Sequence, residues 1–580
     1  MKHLLKYLKP YLKETILAPA FKLIEALVDL FVPLVIADII DRGIATGNKH
    51  YIILRFFLLV GLAMVGLAFS ITAQFFSARA SVGFAASLRE KLFSKIQNFS
   101  FEKLDKIGTE TLVTRINADV LQVQTGVNMV LRLVLRSPFI VFGSMIMAFT
   151  INVKAAFVFA VSIPVLTGVI YLIMGITIPL YKKVQGKLDG VMLTTRENLT
   201  GVRVIRAFCK EDEEVKEFDA KSDALTRFNL IAGRIGAIMN PATYVLINIA
   251  TCAMFLIAGN GVNEGLMGKG NVVALYNYMA QMIVELVKLA SLIITINKAL
   301  ACADRVSAVL KEDDGIEYTE TDEEEEIPAT DCAVAFKNVS FSYQDASEDA
   351  LSDMDFCVQK GQTVGVIGGT GCGKSTLMNL IPRFYDVTKG SVEVFGKDVK
   401  SYKKGELISH IGIVPQKAVL FAGSIRDNLK WGNEEAKDEE LYSALEIAQA
   451  KDVVDSKEGG LDAIVEQGGR NFSGGQRQRL TIARALVKKP DILILDDSSS
   501  ALDYATDFRL RKALAELKGQ TTTFIVSQRT SSIQNADFII VLDDGKIAGT
   551  GTHEELLQTC DVYQEIYASQ ASNKPGEVTA

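Results

Sequence analysis

Residues 368–376 read GGTGCGKST, and the pattern G-x-x-x-x-G-K-[ST] runs from Gly368 to Ser375. Gly368, Gly369, Gly371 and Gly373 let backbone N–H groups approach phosphate oxygens, with Thr370, Cys372 and Thr376 completing the loop. The start of the helix that follows adds a dipole favouring the anion. Lys374 is placed to contact the β- and γ-phosphates, and Ser375 to ligate Mg2+. Asp496, closing the apolar run ILILD, would hold the same ion directly or through water. Together these residues describe a site for ATP with Mg2+. A second anion site is written at Ser473, Gly474, Gly475 and Gln476, where NFSGGQRQRLTIARAL opens a helix.

The loop needs a strand before it and a helix behind it, and the sequence supplies both. TVGVIGG reads as a buried parallel strand, and STLMNLIPRF has helical spacing. Upstream, VAFKNVSFSY alternates like an antiparallel strand and ends at Tyr343, about 30 residues before the loop. Residues 333–570 are therefore expected to be an α/β P-loop domain, with a polar tail over 571–580. Residues 311–332 are acidic, poor in apolar residues and carry a proline, which suits a solvated linker containing the run Glu323–Glu326.

Residues 1–310 have another character. A helix crossing the hydrocarbon layer needs about 20 mostly apolar residues. Six stretches qualify, at roughly 14–40, 52–78, 128–151, 155–180, 230–258 and 273–300. The turns after the first, third and fifth are short. Those after the second and fourth run to about 50 residues, hold most of the Lys and Arg, and keep helical spacing. That charge bias places the N-terminus, both long connections and the C-terminal domain in the cytoplasm of a cell-membrane protein. MKHLLKYLKPYLKE reads as an amphipathic helix at the inner surface, with Lys2, Lys6, Lys9 and Lys13 among the headgroups, rather than as a cleaved signal. The net charge of −6 over 580 residues argues against a general nucleic-acid binder. Seven cysteines show no metal-ligand spacing, and a cytosolic setting predicts reduced thiols.

Ionisable residues within spans are costly and therefore functional candidates. Glu25 and Asp29 share a face of the first span, as Glu285 and Lys288 do of the sixth, while Asp38 and Asp41 mark the outer mouth. Two readings stand side by side. The acids line a substrate cavity and an outer gate, or they pair within the bundle as Glu285–Lys288 and Lys22–Glu25.

The ordered motifs GGTGCGKST, FSGGQ, ILILD and SALD (Ser500–Asp503) resemble those of ABC transporters across the whole chain. The resemblance implies an α-helical membrane domain of exporter type, with six transmembrane helices and long cytoplasmic extensions, joined to an ABC nucleotide-binding domain. It implies that short coupling helices lie near Lys103–Gly108 and Ala207–Glu211, and that Tyr343 stacks on adenine. Gln416 matches the glutamine that senses Mg2+ and the γ-phosphate. In that family the nucleotide domains pair head to tail, so each ATP lies between one chain's phosphate loop and the other's signature. Ser473–Gln476 and Asp503 would then serve a partner's site.

Two positions depart from the pattern. Asp497 stands where the family carries a catalytic glutamate, and Gln528 where it carries a switch histidine. A carboxylate one methylene shorter misplaces a general base, which can forfeit about 10²–10⁴ in rate. Glutamine hydrogen-bonds but cannot become cationic. With RENLTGVRVIRAF, STLMNLIPR, NLKWG and GGRNFSGGQ, the chain looks like the degenerate-site subunit of heterodimeric bacterial multidrug exporters. That implies a catalytically competent second half-transporter and small amphipathic substrates moved across the bilayer. The competing expectations are an ATP-gated channel or regulatory ABC protein, and a lipid or peptide exporter; no protease domain precedes the first span, which argues against peptide processing.

Overall fold

The computed structural model describes residues 4–316, 318, 330–344 and 346–571. Lys2, the run Glu323–Glu326 and the tail from 572 onward lie outside the described residues. The chain divides into two compact units, Met1–Ile96 with Glu110–Glu312, and Gln97–Thr109 with Asp313–Ala580.

The first unit is helical throughout. Leu4–Tyr11 wind as a tight 3₁₀ helix with Lys6 and Lys9 exposed and Leu4 buried. Six long helices follow: α1 (Leu12–Asp38), α2 (Lys49–Gln97), α4 (Thr109–Ile151), α5 (Val153–Ala207), α6 (Glu211–Asn263) and α7 (Lys269–Lys311). The short α3 (Phe101–Ile107) sits between α2 and α4 and belongs to the second unit. Among the described residues, five helices are long and apolar enough to cross a membrane; α1 falls outside that set. Its 27 residues rise about 40 Å, enough to cross, but Lys22, Glu25 and Asp29 sit in its middle.

Apolar side chains of α1, α4, α5, α6 and α7 share one core, including Leu30, Val141, Phe159, Met254 and Tyr278. The phenol of the fully buried Tyr278 donates to the Leu30 carbonyl at 2.5 Å. Small residues let helices approach closely, as at Gly126, where a Cβ would lie 2.2 Å from that of Ala299. Within α4, the π-helical turn Arg115–Asp119 holds a buried ion cluster. There Asp119 accepts from Arg305 of α7 at 2.5 and 3.0 Å and from Arg115 at 2.9 Å. Burial opposes ionisation of Asp119, but these hydrogen bonds prevail and hold its carboxyl below the usual range.

The two expected coupling tips differ. The first is a helix, α3, capped by Ser100 and closed by Gly108 in a left-handed conformation (φ 79°). The second is no helix: α5 ends at Ala207 and α6 begins at Glu211, so Phe208–Lys210 form only a turn, with Cys209 at φ 51°. Three residues cannot close a helical turn of their own.

The second unit carries two main sheets. Strands β1 (Cys332–Phe341), β2 (Leu351–Gln359), β4 (Lys389–Val394) and β5 (Lys397–Asp398) form an antiparallel sheet in the order β2-β1-β4-β5. Strands β3 (Thr363–Gly368), β6 (Ile411–Val414), β9 (Ile492–Asp496), β10 (Thr522–Val526), β11 (Phe538–Asp543) and β12 (Lys546–Gly551) form the second, ordered β12-β11-β3-β10-β9-β6. A hairpin of β7 (Gly423–Ser424) and β8 (Ile464–Val465) lies apart. All pairings in the larger sheet are parallel except that of β11 with β12. Strands β3 and β9 flank β10, so the phosphate loop after β3 and Asp496 at the end of β9 open on the same edge. Four further helices matter for the site: α8 (Lys374–Leu380), α9 (Gly474–Val487), α10 (Tyr504–Ala515) and α11 (Asp561–Ala571).

One sequence expectation is corrected here. Cys332 and Cys357, expected as thiols, are joined in a disulfide between the adjacent strands β1 and β2, with Cα atoms 6.1 Å apart. Antiparallel pairing brings the two side chains within bonding reach. Cys209, Cys252, Cys302, Cys372 and Cys560 are free.

Candidate functional site

A cavity of about 280 Å³ opens at the edge of the larger sheet. Tyr343, Thr370, Gly371, Gly373, Lys374, Ser375, Thr376, Gln416, Asp496, Asp497 and Gln528 all line it. Residues separated by more than 180 positions thus meet around one space. Gly371 and Gly373 adopt φ of 86° and 95°, and a Cβ on Gly373 would lie 2.9 Å from the Ala350 carbonyl, so glycine is required there. The buried Lys374 turns back into its own loop, donating to the carbonyls of Gly368 at 2.9 Å and Gly369 at 2.5 Å. An incoming phosphate offers this ammonium a charged acceptor in exchange for neutral ones.

The Ser375 hydroxyl donates to Asp496 at 3.1 Å. Burial raises the Asp496 carboxyl above its ordinary value, and the charge of Asp497 adds to that, against the opposing effects of Ser375 and Lys374. Hard oxygens this close suit Mg2+, which is held by one or two protein oxygens and completed by phosphate and water. Gln416 donates to the Asp497 carboxylate at 3.3 Å. Asp497 has a left-handed backbone (φ 43°), its N–H donates to the Val526 carbonyl at 3.1 Å, and its own carbonyl accepts from the Ser500 hydroxyl at 2.8 Å. The backbone therefore fixes where this carboxylate starts.

Gln528 is exposed at the rim, and its carbonyl accepts from the Gln570 amide at 2.7 Å. Gln570, on α11, also accepts from the N–H and hydroxyl of Thr530 at 2.9 and 3.0 Å. The C-terminal helix thus holds the Gln528–Thr530 segment, a contact no sequence motif announces. The Tyr343 hydroxyl lies 3.0 Å from that of Thr376, and the ring meets Phe341 and Tyr385 edge-on.

The signature residues do not line this cavity. Ser473 caps α9 through a reciprocal pair, accepting from the Gln476 N–H at 3.3 Å while its own N–H donates to the Gln476 side chain at 3.0 Å. Around Gly474 the space is open, with nothing within 4 Å of an added Cβ. Asp503 caps α10 by accepting from the Thr506 N–H at 2.9 Å, and that backbone bond holds its carboxyl below the usual range.

In the membrane unit the acidic candidates are already partnered. Arg136 of α4 donates to Glu285 of α7 at 2.7 Å and to Asp29 of α1 at 3.0 Å, with Glu25 at 3.8 Å. Ser137 and Lys288 donate to Glu285 at 2.6 and 2.8 Å, and Lys22 to Glu25 at 2.5 Å. Three cations (Lys22, Arg136, Lys288) balance three carboxylates, so the cluster is neutral. The sequence reading passed over Arg136, although a guanidinium at the edge of an apolar run carried the same signal as the acids. At the other end of α1, Asp38 pairs with Arg55 at 2.8 Å and accepts from Tyr51 at 2.5 Å. Asp41 accepts from the Gly270 N–H at 2.7 Å, tying α1 to the start of α7.

Residues 15–286 match the family described as ABC transporter transmembrane region, and residues 351–500 match ABC transporter. Over 569 residues the chain is 35% identical to an uncharacterised ABC transporter ATP-binding protein of Mycobacterium tuberculosis, covering 98% of this chain and 97% of that one. The chain belongs to the ABC transporters. Other relatives are an ATP-dependent lipid A-core flippase of Desulfotalea psychrophila, 33% identical over 83% of this chain and 84% of that one, and a putative multidrug export ATP-binding/permease protein of Bacillus subtilis, 30% identical over 99% and 100%. The fold matches a bacterial Atm1-family ABC exporter solved with ATP bound, with a TM-score of 0.80, 23% identity and coverage of 98% and 99%. This ABC transporter is a multi-pass membrane protein with an ABC ATPase domain, which implies ATP as its cofactor.

Proposed function

We propose that the chain is one half of a heterodimeric exporter whose own phosphate loop forms a slow ATP site. The observation that carries this reading is that Asp497 and Gln528 line the same cavity as Lys374, Ser375 and Asp496. Both departures therefore weaken one site. The Asp497 carboxylate, fixed by its backbone and held by Gln416, stops one methylene short of where the family's glutamate would reach. Gln528 keeps a hydrogen-bonding amide but carries no charge.

Ser473–Gln476 and Asp503, away from that cavity, are assigned to the partner's ATP. The open face at Gly474 leaves room for a γ-phosphate there. Hydrolysis proceeds mainly at the partner's loop, with Mg2+ held in this chain's site by Ser375 and Asp496 and sensed through Gln416. ATP retained here keeps the motor domains in contact between cycles, with nucleotide domains and N-terminus in the cytoplasm.

The exported compounds are small and amphipathic, in keeping with the multidrug relative. The cluster around Arg136 carries no net charge that would favour cationic compounds. A lipid substrate is the second reading, favoured by the flippase relative.

The test is ATPase activity of the purified pair. Asp497→Glu should raise turnover at this chain's loop, and changing the partner's equivalent glutamate to glutamine should abolish most activity. Robust ATPase and transport by this chain alone would remove the need for a partner.

A further inference from the structure

Resting on the reading that Tyr343 stacks on adenine, we infer that Tyr385 is a positioning residue that reports the base of bound ATP to the coupling helix α3. The Tyr385 ring stands edge-on to Tyr343, with centroids 5.5 Å apart and planes at 83°. Its hydroxyl donates to Asp105 of α3 at 2.6 Å. Burial first, and then the Asp105 carboxylate, keep this phenol protonated and able to donate. One rigid side chain thus touches the adenine-facing ring at one end and the coupling helix at the other.

The helix is seated so that such a signal has somewhere to go. Phe101 packs on Phe384 with centroids 4.4 Å apart, and lies 6.4 Å from Tyr385. The Ser100 N–H donates to the Asp314 carbonyl at 2.8 Å, and Lys404 donates to Asn98 at 2.5 Å. Lys103 pairs with Asp313 at 3.2 Å. These contacts hold the N-terminal end of α3, and the Tyr385–Asp105 hydrogen bond adds a directional tie between the helix and the aromatic cluster at the cavity. A base placed against Tyr343 restricts that ring, and an edge-on neighbour must accommodate it. The path is separate from that through Gln416, which faces Asp497 and the phosphate end.

The consequence concerns a site that hydrolyses slowly. There, γ-phosphate loss is a rare event, but base occupancy is a steady signal that needs no chemistry. Tyr385 gives the slow site a means of setting the pose of α3 throughout the cycle.

Hydrogen exchange of the peptide spanning 98–108, read by mass spectrometry on the assembled transporter, tests this. ATP is compared with tripolyphosphate, both in excess EDTA so that nothing is hydrolysed and the role of Asp497 does not enter. ATP should slow exchange in α3 about fivefold more than tripolyphosphate, the low end of a coupling between two sites. Tyr385→Phe and Asp105→Ala should each remove that difference and weaken ATP by no more than the same factor of about five, because a coupling between two sites is reciprocal. The double variant should add nothing further. Equal protection by tripolyphosphate, persistence of the ATP-specific protection in both variants, or loss of ATP binding in both would overturn the assignment.

Discussion

Two regions of this chain gather charge, and they do so in opposite ways. Around Arg136, three cations and three carboxylates from α1, α4 and α7 pair with one another and balance in charge. At the nucleotide cavity the groups are held in provisional contacts. Lys374 rests on its own loop's carbonyls, Asp496 accepts from the Ser375 hydroxyl, and Gln416 reaches Asp497 at 3.3 Å. A charge-balanced cluster holds helices together, whereas polar groups with spare hydrogen-bonding capacity around a cavity suit a charged ligand. A buried carboxylate in a membrane is therefore weak evidence for a substrate site until its partners are known.

Removing a member of the charge-balanced cluster should do the most damage. Arg136→Ala takes the guanidinium from Asp29 and leaves Glu285, whose side chain is 5% exposed, with Lys288 and Ser137. It should cost up to about 3 kcal/mol of stability, read as a fall in thermal midpoint in detergent. Arg136→Met with Asp29→Asn and Glu285→Gln should restore much of that loss, because the carboxylates that lose the guanidinium are then neutral while Glu25 keeps Lys22. If Arg136→Ala leaves the midpoint unchanged but alters which compounds stimulate ATPase, the cluster belongs to the transport path and the contrast collapses.

At the cavity the expected effect falls on binding instead. Lys374→Ala should weaken ATP at this chain's loop by roughly 10–100-fold, the worth of a charged hydrogen bond to phosphate, with the thermal midpoint of the ligand-free protein nearly unchanged. Equal losses of stability and binding would erase the distinction between the two regions.

The smallest effect belongs to Asp119, in the ion cluster with Arg115 and Arg305. Its carboxyl titrates lower in the folded protein than in an unfolded chain, so its contribution is fully present above about pH 4 and fades as pH falls through the folded value. The difference in thermal midpoint between the unsubstituted protein and Asp119→Asn should be constant from neutral pH to about pH 5 and shrink below pH 4. A difference that grows on acidification would contradict the pairing.

What the sequence revealed follows chain locality. The phosphate loop, the Asp496 strand and the Ser473 helix cap are each written within a few consecutive residues, so their chemistry could be read before any fold was known. The Arg136 cluster depends on partners 107 and 149 positions away, which no local pattern announces. The same holds for Gln570 beneath Gln528 and for Tyr385 against Asp105, 280 positions apart. The family resemblance marks the two connections at Lys103–Gly108 and Ala207–Glu211 alike as coupling helices. Only the first has a Ser cap and enough residues to form a helix. The Cys332–Cys357 disulfide was missed because compartment, rather than strand register, governed the expectation.

The asymmetry of the two ATP sites is the central claim, and trapping with 8-azido-ATP tests it most directly. The assembled transporter is given the photoreactive nucleotide with Mg2+ during turnover, cross-linked by light, and digested, and the adducts are weighed on peptides from each chain. The account predicts a triphosphate adduct on this chain's peptide carrying Tyr343 and a diphosphate adduct on the partner's. A diphosphate adduct accumulating at this chain's loop as fast as at the other would contradict it.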